Sequence, residues 1–349
     1  MSIDVKPSPR ARRAALYGTG GLGVAGVVGA AGLFGVLWGE AKLAERRIPV
    51  ATDAPPVSHD TTWAAPGVSL NRPPIRFALM GDSTAAGYGV YRDRDTPAAQ
   101  LAIGISAVAR RPVHVTNVAE VGAESPQLPA QLEELGVARI ELAIIMIGAN
   151  DVTELTKPSV AVPYLEDVVR QLRARGVEVI VGTCPDLGTV RPIAQPLRAY
   201  ARRLSRRMAR EQTVAVVRAG GRTVSLGDLL GPIFEKRMEM FSADRFHPSA
   251  EGYKEAAAAV LPSALDALGL GTRVRSASPF TTRRAKPLEK AAAQAAAHPG
   301  SEVALSSSRP FTAIRGGRGT WARLRRRRPD SPVQVQTESA TPVREDTAS

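Results

Sequence analysis

Cysteine and histidine are both scarce in this 349-residue chain: Cys184 stands alone, and there are four histidines. A single thiol cannot close an intramolecular disulfide, so the fold must rest on packing, and cysteine usage leaves the redox compartment open. One cysteine and scattered histidines do not make a ligand cluster either, which disfavours a metal site. No recognition-helix or base-stacking motif accompanies the formal net charge of +13, and that charge is poorly placed for a nucleic-acid partner. Residues 271–349 hold fifteen Lys/Arg against six Asp/Glu, which is nine of the thirteen net charges. What the chain does have is an ordinary share of core-forming residues, 44% hydrophobic against 23% charged, enough to bury a sizeable domain.

Residues 14–39 carry no charge and are rich in Gly, Ala, Val and Leu, with Arg10, Arg12 and Arg13 just before them. A helix of that length spans a bilayer core. The run is longer than the apolar part of a signal peptide, so an uncleaved anchor is the first reading and secretion after cleavage the second. Basic residues flank both ends, with a slight bias toward a cytoplasmic N-terminus and an extracytoplasmic main domain. The run opens with Gly18-Thr19-Gly20-Gly21-Leu22-Gly23, which fits the dinucleotide fingerprint by letter. It follows no buried strand, so that reading fails.

The chain divides into a short basic N-terminus (1–13), the anchor (14–39), a proline-rich linker (40–74), one folded domain (75–270) and a basic tail (271–349) without sustained periodicity, expected to be disordered. Within the domain, apolar runs at 76–80, 113–118, 142–147, 177–183 and 214–217 alternate with amphipathic stretches at 96–110, 128–135, 160–175, 193–210 and 249–268. Continuous rather than alternating apolar runs suit parallel strands buried on both faces. The pattern predicts an α/β sandwich around one mostly parallel five-stranded sheet, preceded by one transmembrane helix.

In such sheets reactive groups gather beyond the carboxyl ends of the strands. Gly81-Asp82-Ser83 follows the first run, and Ser83 there is either an exposed nucleophile or a helix cap. Gly122, a few residues past the second run, can bring a backbone N–H close to a ligand or simply form a turn. Asn150, in Gly148-Ala149-Asn150-Asp151 after the third, can donate to an oxyanion or cap a helix. Before the last helical stretch stands Asp244-Arg245-Phe246-His247. A neutral imidazole oriented by a carboxylate is what a hydroxyl nucleophile needs as its base. His59 lies in the linker, His298 in the tail and His114 inside the second strand, which leaves His247.

Taken in order, these four blocks resemble the SGNH hydrolases, also called GDSL esterases or lipases, over about residues 76–270. The resemblance implies a flavodoxin-like three-layer α/β/α sandwich. It implies Ser83 as nucleophile and oxyanion donor, Gly122 and Asn150 as further donors, His247 as base and Asp244 as its orienting acid. Thr84 replaces the leucine of the family name, at a position that is not catalytic. The expected activity is carboxylic ester hydrolysis through an acyl-enzyme on a small-molecule, lipid or glycan ester, with no cofactor. An O-deacetylase or acetyltransferase acting on envelope glycans or glycolipids, and a catalytically silent envelope-binding protein, are the competing readings. In the tail, Arg323 and residues 325–328 beside Trp321 form either a solvated stretch or a contact for an anionic surface.

Overall fold

In the computed structural model the described residues are 60–136, 139–226, 231–270, 286–297, 301–305 and 321–326, with 36, 39–40, 42–43 and 55–56. The anchor expected at 14–39 lies almost wholly outside them. Among the described residues no helix is long and apolar enough to cross a membrane.

Five parallel strands form the centre: β2 (Ile75–Gly81), β3 (Val113–Asn117), β4 (Leu142–Met146), β5 (Glu178–Gly182) and β6 (Arg222–Val224). Their spatial order is β3-β2-β4-β5-β6. Counted along the chain this is 2-1-3-4-5, the flavodoxin-like arrangement, whose crevice opens where the order reverses between β2 and β4. The continuous apolar runs follow from burial on both faces. Phe77, Leu79 and Ile144 point to one core, packed by helices α2 (Pro97–Ala109) and α8 (Ala250–Ala267). Their neighbours Ala78, Met80 and Ile145 point to the other, beneath α3 (Leu128–Glu134), α5 (Pro158–Ala174) and α6 (Leu197–Arg218). Each large aliphatic or aromatic side chain so buried contributes about 1.5–3 kcal/mol. The helices start where sequence places caps: Thr96 accepts from the Ala99 N–H ahead of Pro97, and Ser249 from the Gly252 N–H.

Three expectations are corrected. Residues 214–217 are not a strand; they are the last turns of α6, which buries Ala201, Ser205, Met208, Gln212 and Val216 at intervals of three and four. That stripe is helical, and the fifth strand starts only after the Gly220-Gly221 turn, as the short β6. Among the described residues the sheet is mixed, with nine strands instead of five. On one edge β1 (Asp60–Trp63), inside the expected linker, pairs antiparallel with β3 and buries Trp63. On the other edge the expected disordered tail supplies β7 (Lys286–Pro287), α9 (Leu288–Ala295), β8 (Ser301–Leu305) and β9 (Trp321–Arg326).

Antiparallel pairing of β6 with β8, β8 with β9 and β9 with β7 extends the sheet. Val303, Ala322 and Leu324 pack with Leu288, Ala291 and Ala295 of α9 against Val217. Asp266 receives both Arg222 (2.9 Å) and Arg325 (3.0 Å), fastening this extension to α8.

Candidate active site

The site stands at the β2–β4 reversal. Gly81 ends β2 with φ +130°, and a Cβ there would lie 1.8 Å from the Met146 carbonyl oxygen, so only glycine fits between these strands. The side chain of Gln131 takes the place of a strand partner, accepting from the Gly81 N–H (2.8 Å) and donating to its carbonyl (2.9 Å). The next residue, Asp82, caps the short helix α1 (Ser83–Ala86) by accepting from the Thr84 N–H at 2.9 Å. Asp82 thus takes the capping role considered for Ser83, which sits at the first helical position.

Ser83 Oγ lies 2.9 Å from His247 Nε2, and His247 Nδ1 lies 2.6 Å from Asp244 Oδ2. The other oxygen of Asp244 accepts from the Ser242 hydroxyl (2.6 Å) and from the N–H groups of Phe246 (2.8 Å) and His247 (2.9 Å). Burial pushes the Asp244 carboxyl up, but the hydrogen bonds from His247, Ser242 and the two backbone groups outweigh it and hold the acid well below the usual carboxylate range. An ionised carboxylate only accepts, so Nδ1 carries the proton and Nε2 of the neutral ring accepts from the Ser83 hydroxyl. Tyr88 and Phe246 hold the imidazole edge-on, with ring centroids 4.5 and 4.9 Å away. Tyr253 Oη secures Tyr88 by donating to its carbonyl at 2.7 Å.

Gly122 has φ +85° and is exposed, with open space where a Cβ would be. Asn150, in the short helix α4 (Ala149–Thr153), donates through Nδ2 to the Ala123 carbonyl at 2.8 Å. Its neighbour Asp151 is fully buried and accepts from Ser125 through both the N–H (3.1 Å) and the hydroxyl (2.9 Å). The loop bearing Gly122 is thereby strapped to the end of β4.

Beside Ser83 and His247 opens a cavity of about 60 Å³, walled by Met146, Leu187, Val190, Leu226, Phe234 and Phe246 among others. Asp82 also lines it. Its carboxyl is pushed up to about 6 by burial, against the lowering effect of the Thr84 hydrogen bond and the His247 charge. Residues 183–189, which follow β5, form part of this wall. Cys184 is buried, its N–H held by Gln212, which also donates to the Ile147 carbonyl. Among the described residues no group of His, Cys, Asp and Glu could hold a metal.

The profile of the GDSL-like lipase/acylhydrolase family matches residues 79–255, the span from β2 to α8 that carries all of these groups. The chain belongs to this family. The GDSL-like esterase Rv1075c of Mycobacterium tuberculosis is 40% identical over 269 residues, covering 74% of this chain and 85% of that one. Among solved structures, Axe2, an acetylxylan esterase from Geobacillus stearothermophilus, is similar over 59% of this chain and 99% of its own, with 16% identity and a TM-score of 0.41. TesA is similar over 55% and 99%, with 21% identity and a TM-score of 0.45. As a GDSL-like hydrolase the protein acts on ester bonds. Sequence reasoning did not find Gln131, Gln212 or Asp82 as braces of this site, nor the phenylalanines of the cavity. The two glutamines carried a signal, since each is a polar residue at a core-facing helical position.

Proposed function

We propose that this GDSL-like hydrolase cleaves carboxylic esters with short acyl groups through an acyl-enzyme on Ser83. The observation that carries this reading is the continuous relay from Ser83 Oγ through His247 to Asp244, at 2.9 and 2.6 Å. His247 Nε2 takes the hydroxyl proton as Oγ attacks the ester carbonyl. The imidazolium then gives that proton to the leaving alcohol, and the acyl group remains on Oγ. Water, deprotonated by the same nitrogen, attacks the acyl-enzyme and releases the acid. Asp244 keeps the ring in one tautomer and stabilises its charged form. The Ser83 and Gly122 N–H groups and the Asn150 amide are the oxyanion donors in this scheme. Holding the Ala123 carbonyl uses one of the two Asn150 N–H bonds and leaves the other for substrate.

The cavity beside Ser83 receives the acyl group. Its 60 Å³ corresponds to about four or five water-sized positions, room for a chain of roughly that many atoms. An acyl-chain series of 4-nitrophenyl esters tests this: kcat/KM peaks at or below butanoate and falls steeply by octanoate. A maximum at long chains would contradict it. For placement, the uncharged run at 14–39 supports an N-terminal membrane anchor with the catalytic domain outside the cytoplasm.

A further inference from the structure

The uncharged run ends at Gly39, and the next residue makes a specific contact with the catalytic domain. Val36, Gly39, Glu40, Lys42 and Leu43 are helical, and Glu40 Oε2 accepts the Leu197 N–H at 2.7 Å. Leu197 is the first residue of α6. The point where the apolar run stops is therefore pinned to the start of the most arginine-rich helix among the described residues.

Apart from Arg218, which pairs with Glu289 at 3.4 Å, the arginines of α6 divide by whether a carboxylate meets them. Arg202 and Arg206 turn to Asp186, at 3.4 and 3.1 Å, and brace the wall of the cavity. Arg202 also pairs with Glu235, and Arg210 with Glu211 at 2.9 Å, so the acids on this side are already neutralised. Arg203 and Arg207 have no carboxylate partner among the described residues, and at helical spacing they share one side of α6 with Tyr200, opposite its buried stripe. Arg203 and Arg207 are exposed, as is Tyr200 at 44%. At the helical rise, Arg203 and Arg207 stand about 9 and 15 Å along the axis from Leu197.

We propose that this face of α6 lies on the anionic headgroups of the bilayer that the apolar run enters, with Arg203 and Arg207 meeting phosphates and Tyr200 at the interface. Unpaired guanidinium groups and an exposed tyrosine next to the end of an apolar segment are the chemistry of such a surface. Each arginine near an anionic membrane favours contact about fivefold, so the two together shift the docked population about 25-fold. Docking sets the bracing residues of the cavity wall at the lipid surface. The geometry rests on the anchor proposed above, and the test separates the two.

The full chain is reconstituted in vesicles of phosphatidylcholine, with or without phosphatidylglycerol, and carries a polarity-sensitive dye on Tyr200→Cys; the native Cys184 is buried. Flotation with neutral vesicles reports the anchor. The dye reports the face: its emission shifts to the blue only in anionic vesicles, returns in about 1 M salt, where screening is within about 3 Å, and fails to shift when Arg203 and Arg207 are both changed to Glu. That variant keeps wild-type turnover of a soluble short-chain ester; the Arg→Gln double variant serves the same purpose if the Glu version folds poorly. Equal emission in neutral and anionic vesicles overturns the proposal, whether or not the chain floats. So does a response to soluble polyphosphate alone, which would make the partner an acidic polymer.

Discussion

Two histidines in this fold each meet an aspartate and a hydroxyl, and the contrast shows what turns those three groups into a relay. His114, on β3, has Nδ1 3.1 Å from Thr62 Oγ1 and Nε2 3.5 Å from Asp60 Oδ1. Thr62 and His114 are direct partners in the β1–β3 ladder, so their contact follows from strand pairing alone. The Asp60 side chain is 65% exposed, beyond good hydrogen-bond reach, and keeps its water. Asp244 is only 11% exposed and fixed by four hydrogen bonds. Ser83, 164 residues away from His247, opens a helix at a strand end, where N–H groups point outward. Identical chemistry on a strand edge is cross-strand packing; at the sheet's reversal it is the relay proposed above to activate Ser83.

Replacing each histidine breaks or upholds that distinction. His247→Ala lowers kcat on a short-chain ester by about 10⁴-fold or more, while His114→Ala leaves it unchanged. Comparable losses in both would show that the two sets do not differ as described. The proposed oxyanion donors accompany the His247 set alone, and removing one such donor costs about 100- to 1,000-fold. Asn150→Ala therefore lowers kcat by that amount with KM little altered; a pure KM effect would make Asn150 a ground-state contact.

The smallest effect sharpens the contrast between buried carboxylates. Asp244 is held down by its donors, so it supports the fold above the ordinary carboxylate range and loses that contribution as acid protonates it. Asp82 behaves oppositely. Its folded pKa of about 6 exceeds the usual value of 3.8, the folded state holds the extra proton, and stability falls as pH rises from about 4 through 6. Asp82→Asn, which keeps a capping oxygen, should raise thermal stability by about 2–3 kcal/mol at pH 8 and by nothing at pH 4. A gain independent of pH would show that the buried charge is not its source.

Much of this architecture was legible in the sequence because burial on both faces writes continuous apolar runs: four of five expected strands, at 76–80, 113–118, 142–147 and 177–183, overlap β2 to β5. The fifth failed because Thr213, Val216 and Val217 present a β-branched run that is also the buried stripe of α6. β6, with three residues, is too short to write a pattern. In β9, Ala322 and Leu324 alternate with Arg323 and Arg325, a period-two signal hidden by basic composition. At the site, Ser83, Asp244 and His247 were readable from their order, and the structure brings them into hydrogen-bond contact. Gln131 and Gln212 were not, because a polar residue at a core-facing helical position signals a buried partner without saying which backbone groups it serves.

The central claim is that Ser83 is the nucleophile of this esterase. Intact-mass analysis and peptide mapping after treatment with a fluorophosphonate test it most directly. The account predicts one adduct per chain, on Ser83, with loss of ester turnover in parallel, and neither adduct nor turnover in Ser83→Ala. An adduct on another residue, or wild-type turnover in Ser83→Ala, would contradict it.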